Sequence, residues 1–452
     1  MMDAGRHPNI TLLTWSEVEE VSGFVGQFTA RVRKRARSVN EDLCTSCGLC
    51  QEKCPTRVVD TAYEAGMGKR KAIYRPFAQS IPSYPVLDRE HCLWFTRGRC
   101  KICERFCPTG AIDYEQQDEI LELKVGAIVL ATGFHMWDPM QIPDYAYGKS
   151  PNIITSLQFE RLISVSGPTG GQIQTSEGKT PERVAIIHCV GSRDERAHAY
   201  CSRFCCMYSL KQAHQVQERT GAEVYNFYMD MRTFGKAYEE FYGRLRSEGI
   251  QFIQGRPSQI TVDPETQKLY IAAEDILLGK VIELEVDMVI LANAAEPQPD
   301  AGTVGPLFGV SRTPDGFFAE AHPKLQPVET ATAGVFLAGS CQSPRDVPDT
   351  VAHAGAAALE VVRLFNIGQV IISPTVATVE EDQCVGCGEC ILTCPYTAIS
   401  RQANGKAVVN AALCHGCGTC AAACPSGAIT ALHFTDNEIV AQIDGLLELV
   451  TA

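Results

Sequence analysis

Apolar runs along the chain are short, and the clearest of them end in glycine turns. LELKVGAIVLATGF (121–134), RVAIIHCVGS (183–192) and GVFLAGS (334–340) each predict a buried strand followed by a tight turn. AEVYNFYM (222–229), GIQFIQG (249–255), KLYIAA (268–273) and VDMVILAN (286–293) predict further strands. Looser alternation across 8–38, in ITLLTW, EVEEVSG and FTARVRK, reads as strand material between Gly and Ser breaks. Helical spacing marks YCSRFCCMYSLKQAHQVQERTG (200–221), AHAGAAALEVVRLFN (352–366) and the tail TDNEIVAQIDGLLELV (435–450). Strands alternating with helices argue for α/β domains.

Composition sets limits on this picture. The 452 residues have room for about three folding units. Lys plus Arg number 40 against 53 Asp plus Glu, a formal charge of −13. A field of that sign repels nucleic-acid phosphates and anionic lipid, so neither nucleic acid nor membrane is expected as a partner. No apolar run approaches the ~20 residues that span a bilayer, and MMDAGRHPNI lacks an export signal. The expected location is the cytoplasm, where clustered cysteines serve more often as metal ligands than as disulfides.

Cysteine is where the chemistry lies. Of 21 cysteines, twenty fall into five groups of four, and Cys341 alone is expected to be a plain core residue. The phrase CPTRVVD at 54 recurs as CPTGAID at 107, CPYTAIS at 394 and CPSGAIT at 424, two copies in each of two modules. The tail module reads Cys384-x2-Cys387-x2-Cys390-x3-Cys394-Pro, then Cys414-x2-Cys417-x2-Cys420-x3-Cys424-Pro. This is the bacterial two-cluster ferredoxin spacing, in which the fourth cysteine of each run ligates the other cluster. One 4Fe–4S cluster is thus assigned to Cys384, Cys387, Cys390 and Cys424, and its partner to Cys414, Cys417, Cys420 and Cys394; structural zinc is the competing reading.

The first module is less regular. Cys44-x2-Cys47-x2-Cys50-x3-Cys54-Pro is followed by Cys92-x7-Cys100-x2-Cys103-x3-Cys107-Pro. Cys44, Cys47, Cys50 and Cys107 are assigned to one cluster, and Cys92, Cys100, Cys103 and Cys54 to the other, with an unliganded Cys92 as the alternative. Lys101 stands where positions 48, 388 and 418 carry glycine. With Arg97 and Arg99 it crowds the second site with positive charge, so that cluster is expected to have the highest potential of the four. Cys189, Cys201, Cys205 and Cys206 follow no ferredoxin spacing. Cys201 and Cys205 are expected at i, i+4 on one helix face, in the strand-to-helix turn where a dinucleotide fold would carry G-x-G-x-x-G. The turn reads CVGSRDE. A fifth cluster, inert buried thiols and a Cys205/Cys206 redox pair all remain open from spacing alone.

HPNITLLTWSEVEEVSGFVG, KAIYRPFAQSIP, HCVGSRDE…YCSRFCCMYSLKQA, EAHPKLQPVETAT and DVPDTVAHAGAAA resemble the iron–sulfur flavoprotein A-type component of heterodisulfide reductase, along essentially the whole chain. The resemblance implies an α/β fold of partial thioredoxin-reductase-like FAD/NAD(P)-type domains, with one inserted and one C-terminal two-cluster ferredoxin domain. The expected divisions are a partial FAD-binding domain at 1–40 and 117–160, the insert at 41–116, an NAD(P)-domain-like unit carrying a cluster at 161–300, the rest of the FAD domain at 301–372, and the second ferredoxin domain at 373–452. It also implies that Cys189, Cys201, Cys205 and Cys206 hold a fifth cluster. Thr132, Gly133, Gly339, Ser340, Asp349, Thr350 and Val351 should contact FAD, and Lys211 should lie near the flavin N5, where a cation stabilises anionic reduced flavin.

The function so implied is electron transfer in a heterodisulfide-reductase-like oxidoreductase complex linked to flavin-based electron bifurcation. Implied partners are B- and C-type subunits, a hydrogenase or formate dehydrogenase donor, and ferredoxin. One departure stands out: no G-x-G-x-x-G is present to cradle the FAD pyrophosphate. The chain is then expected to be a fragment, half of a split protein, or a form without tight FAD binding. A flavin-free polyferredoxin relay is the alternative. A NAD(P)H-oxidising reductase, the third reading, lacks its phosphate turn.

Overall fold

The computed structural model describes residues 2–369, 374–396 and 398–451. Two compact units divide the chain: 1–18, 32–121 and 135–296 form the first, and 19–31, 122–134 and 297–452 the second.

The first unit is built on a sheet of five parallel strands, in the order Ile153–Thr155, Met288–Asn293, Arg183–Val190, Glu223–Tyr228, Gln251–Gln254. Parallel sheets are covered on both faces, which explains why RVAIIHCV is an unbroken apolar run. Alternate residues serve opposite layers. Val184, Ile186, Met288 and Ile290 pack with Leu210, Ala213 and Val216 of the helix Cys205–Thr220, Leu245 of the helix Tyr238–Ser247, and Phe159 and Leu162 of the helix Ser156–Ile163. Ala185, Ile187, Val289 and Leu291 face the other way, onto Ile260, Leu269, Ile271 and Val286. Those four belong to an antiparallel sheet of Pro257–Val262, Leu269–Asp275 and Lys280–Val286. The helix Ser156–Ile163 starts cleanly because Thr155 and Gln158 form a reciprocal capping box.

In the second unit Ile128–Leu130 pairs in parallel with Val335–Leu337. A 21-residue helix, Val347–Ile367, follows. It begins five residues before the apolar spacing suggests, because Asp346 caps it by accepting from the Asp349 N–H at 2.9 Å. The run 121–134 is two strands, Glu119–Val125 and Ile128–Leu130, broken at Gly126. Residues 10–15, expected as a strand, are irregular. Trp15 adopts a left-handed backbone (φ 60°), and the strand Ser16–Ser22 begins only after it. Ser16–Ser22 and Phe28–Lys34 join Glu119–Val125 in a three-stranded sheet.

Both ferredoxin-type modules repeat one device. Each cysteine run opens a single helical turn: Leu49–Lys53 and Ile102–Arg105 in the insert, Glu389–Thr393 and Thr419–Ala423 in the tail. The residue before each turn is left-handed, Gly48 at φ 81°, Gly388 at 90° and Gly418 at 77°. Lys101 takes the same conformation at φ 78° despite its side chain. Its ammonium lies 4.4 Å from the Trp94 ring centroid, a cation–π contact that offsets part of the strain.

The insert is tied to the parallel-sheet domain within the first unit. Arg161 meets Glu64 with two hydrogen bonds of 3.2 and 3.0 Å, its guanidinium lies 4.2 Å from the Tyr63 ring centroid, and Gln158 donates to the Ala65 carbonyl. Both charged side chains are largely buried. Truncating Arg161→Ala leaves Glu64 uncompensated, so we expect a loss of about 3 kcal/mol, read as a lowered denaturation midpoint with earlier proteolysis of the insert.

Candidate iron–sulfur and flavin sites

The first module's two runs interlock. Cys44, Cys47, Cys50 and Cys107 line one hollow, together with Val39, Ile112 and Arg75. Cys54, Cys92, Cys100 and Cys103 line another, so the seven-residue spacer still brings Cys92 to the same hollow as the other three. The tail module repeats this. Cys384, Cys387, Cys390 and Cys424 surround one hollow, and Cys394, Cys414, Cys417 and Cys420 another.

Spacing of the sulfur atoms decides between a single metal ion and a cluster. Four thiolates on one zinc, each ~2.3 Å from the metal, stand roughly 3.8 Å apart. Among the described residues, Asp88, Glu90 and His91 are the only three ligand-type side chains whose donor atoms all lie within 4.8 Å of one another. No cysteine set among the described residues brings three sulfurs that close, and each set lines a hollow, an arrangement that suits a cluster better than a single ion.

Donors around the sulfurs fit ligated thiolates. Backbone N–H groups of Ser46, Ala111, Ala377 and Ala398 point at Cys44, Cys107, Cys414 and Cys394 at 3.2–3.4 Å. Thr419 hydroxyl hydrogen bonding holds the Cys417 thiol below its usual range. Burial pushes Cys50 up to about 11 and also raises Cys103, which the Tyr114 hydroxyl, 3.0 Å from its sulfur, partly offsets. Cys47, Cys387 and Cys417, the second ligand of three runs, are exposed, whereas Cys100 is half-buried.

The fifth set gathers differently from expectation. The helix starts at Cys205, so Cys201 is not on it. Arg203 is left-handed (φ 62°) and its N–H donates to Cys201 Sγ at 3.2 Å, which bends the chain away from helical geometry. Cys189 lies within the strand Arg183–Val190, where a left-handed backbone (φ 57°) and a register shift after Ile187 turn its side chain. The three thiols of Cys189, Cys205 and Cys206 share hydrogen bonds, which lower Cys189 and Cys206 and raise Cys205. Arg193 lies close enough to both Cys189 and Cys201 for their charge to raise its own affinity for a proton.

Beside these thiols the buried Arg193 Nη1 has no hydrogen-bond partner, and the His188 ring meets Cys206. The Nε2 of His188 meets Asn226 Oδ1 at 3.1 Å. Electron-rich sulfurs would satisfy such donors, so the residues fit a cluster. The glycine turn that follows does not fit a nucleotide phosphate. A Cβ at Gly191 would fall 2.3 Å from the Trp137 indole, which occupies that space.

In the second unit Thr132 and Gly133 follow one strand of a parallel pair, and Gly339 and Ser340 follow the other. The carboxyl ends of parallel strands are where α/β folds receive ligands. Asp349, Thr350 and Val351 lie in the first turns of the long helix, and a Cβ at Gly339 would fall 3.1 Å from Thr350. A left-handed Gly133 (φ 75°) has open space where a side chain would project. No sequence pattern pointed to His353, which accepts from the Gly339 N–H at 2.9 Å, or to Gln298, which donates to the Thr132 and Phe134 carbonyls. These residues fit the ring and ribityl parts of a flavin. Lys211 is half-exposed, with its Nζ 2.6 Å from Glu160 Oε1. Cys341 lies in the apolar core.

Two outcomes follow from the interlocked ligands. Cys107→Ser should remove or convert the cluster of Cys44, Cys47 and Cys50, leaving that of Cys92, Cys100 and Cys103 intact, and Cys54→Ser should do the reverse; EPR of reduced protein with iron assays reads both. Removing the hydroxyl in Tyr114→Phe should make the potential of the Cys103 cluster more negative in an EPR-monitored redox titration.

Known proteins share these features. Residues 377–431 match the 4Fe-4S dicluster domain family and residues 37–60 the 4Fe-4S binding domain family. The iron–sulfur A-type component of the CoB–CoM heterodisulfide reductase of Methanocaldococcus jannaschii is 46% identical over 99% of this chain and 68% of its own length. The corresponding A-type component of the H2:CoB–CoM heterodisulfide, ferredoxin reductase of Methanothermobacter marburgensis is 45% identical, over 99% of this chain and 67% of its own. One of two such components of Methanopyrus kandleri is 49% identical over 90% of this chain and 62% of its own. The chain thus spans about two thirds of the length of the curated relatives it matches. Lactococcus lactis thioredoxin reductase overlays at a TM-score of 0.36, with 16% identity, covering 68% of this chain and 88% of that one. With such identity to the heterodisulfide reductases along nearly its whole length, the chain belongs to the family of their iron–sulfur A-type components.

Proposed function

We propose that the chain is the electron-transferring iron–sulfur subunit of a heterodisulfide-reductase-like oxidoreductase complex, with five 4Fe–4S clusters and part of a FAD site. The observation that carries this reading is the sorting of sixteen cysteines into four cavities of four, each closed by a ligand from the opposite run. Bound in these sites, clusters supply one-electron carriage, and flavin supplies two-electron uptake and its division into single electrons.

The protein's own residues do the rest. Cysteine thiolates anchor the clusters, and the N–H and O–H groups aimed at them set how readily they accept charge. Thr132, Gly133, Gly339 and Ser340 let the flavin approach the backbone, and His353 holds the Gly339 turn in place. Asp349, Thr350 and Val351 present the start of a long helix, whose dipole favours negative charge. Lys211, which pairs with Glu160, is kept as the cation proposed for the reduced flavin.

The relatives' names join heterodisulfide reduction to H2, formate or ferredoxin. We accordingly assign as partners B- and C-type subunits, a hydrogenase or formate dehydrogenase donor, and ferredoxin, and place the complex in the cytoplasm. No helix among the described residues is long and apolar enough to cross a membrane.

Anaerobic purification should give a brown protein with about twenty iron atoms per chain, four for each predicted cluster. FAD should bind only weakly until a polypeptide supplying a G-x-G-x-x-G turn is added. Protein that never takes up FAD, even with that polypeptide present, would instead be a polyferredoxin relay.

A further inference from the structure

Beside the cavity of Cys44, Cys47, Cys50 and Cys107 lies an open groove of about 460 Å³, lined by Gly48, Gln51, Glu52, Arg57, Lys69, Arg70, Lys71 and Arg75. Gly48, Gln51 and Arg75 also line the cluster cavity, so the groove and the cluster site share a wall. Five cations face one carboxylate in a chain whose overall charge is −13.

The cations are poorly neutralised from within. Arg70 pairs with Asp88 at 2.8 Å, and Glu52 is taken by Lys53 outside the groove. Lys71 donates to the Cys54 carbonyl and Arg75 to the Ser83 hydroxyl, both uncharged. Arg57 and Lys69 are exposed, and among the described residues no ion pair or hydrogen bond engages their side chains. The hairpin register sets Arg57 directly opposite Lys71, with Lys69 two residues along the same face. Like charges across a strand pair are destabilising.

The ferredoxin fold does not require this arrangement. The matching hairpin of the tail module, Ile399–Arg401 with Ala407–Val409, pairs Ile399 with Val409 and Arg401 with Ala407.

We propose that this groove docks an acidic small iron–sulfur carrier protein over the first cluster of the insert. The proposal rests on the electron-transfer reading above and adds to it the module, the residues and the charge of the partner. Charge complementarity at a rim speeds encounter and fixes orientation at little cost in stability. An exposed ligand, Cys47, lies on the same turn as Gly48, so a partner seated in the groove comes close to the cluster edge.

The test uses the full, cluster-loaded chain and a strongly acidic bacterial-type two-cluster ferredoxin, with binding measured by anaerobic calorimetry at rising salt. Affinity should fall as salt rises, and zero-length carbodiimide cross-linking should join Lys69 or Lys71 to ferredoxin carboxylates. Arg57→Glu combined with Lys69→Glu should weaken binding by about tenfold or more and flatten its salt dependence. Iron content and the reduced EPR spectrum should stay unchanged, since neither residue is a ligand. Lys280→Glu, an exposed change in the other domain of this unit, should leave binding as it was.

Binding insensitive to the double charge reversal, or cross-links confined to other lysines, overturns the docking site. So does tighter competition by a single-stranded oligonucleotide than by the ferredoxin. A chain that holds no clusters at all would overturn the functional reading itself, which the iron assay detects separately.

Discussion

Thiolate ligation of inorganic clusters is the interaction on which both small modules depend. Three of the nine buried residues in one apolar core and three of the eight in the other are the ligands themselves. Cys50, Cys92 and Cys103 sit at the centre of one, beside Val39, Ile73, Leu87 and Ala111, and Cys384, Cys390 and Cys420 at the centre of the other. Segments of this size bury too little hydrocarbon to fold securely without a staple. Metal sites of this kind supply folding free energy together with the ligands. The parallel-sheet domain is different. Its two layers of Val, Ile and Leu are continuous without any cofactor, and it offers the insert a rigid base through Arg161 and Glu64.

The ferredoxin cysteines were legible in the sequence because ligation imposes fixed spacing, and the cross-pairing of Cys54 with the second run and Cys107 with the first followed from that rule. Of the parallel strands, Arg183–Val190, Ile128–Leu130 and Val335–Leu337 were legible as apolar runs ending in glycine, whereas the three-residue Ile153–Thr155 was too short to carry a pattern. Other features arise from contacts that no local pattern carries. Cys201 looked helical at i, i+4 from Cys205, but one left-handed residue, Arg203, breaks the spacing. Lys101 stands in a glycine's conformation because Trp94 and Tyr114, neither of them a neighbour in sequence, hold its ammonium. Tyr114 and His353 gain their roles from residues 11 and 14 positions away. The basic groove is invisible in a chain of net negative charge, since its cations come from two paired strands and the segment beyond them.

The fifth set shows how a dinucleotide-type framework can be put to another use. The strand, turn and helix remain, with Arg183–Val190, Cys205–Thr220 and Glu223–Tyr228 in the usual parallel crossover. Trp137 fills the space over the turn. A long loop separates strand from helix, so the helix start no longer follows the strand directly. Thiols and their donors, His188 and Arg193, take over the end of the strand.

Exposure of the second ligand in three of the four ferredoxin-type runs has a practical side. Dioxygen and peroxide reach a cubane through its least shielded corner, and Cys47, Cys387 and Cys417 mark those corners. Aerial bleaching of the protein should therefore proceed in stages, with the Cys100 set the last of the four ferredoxin-type clusters to lose its colour.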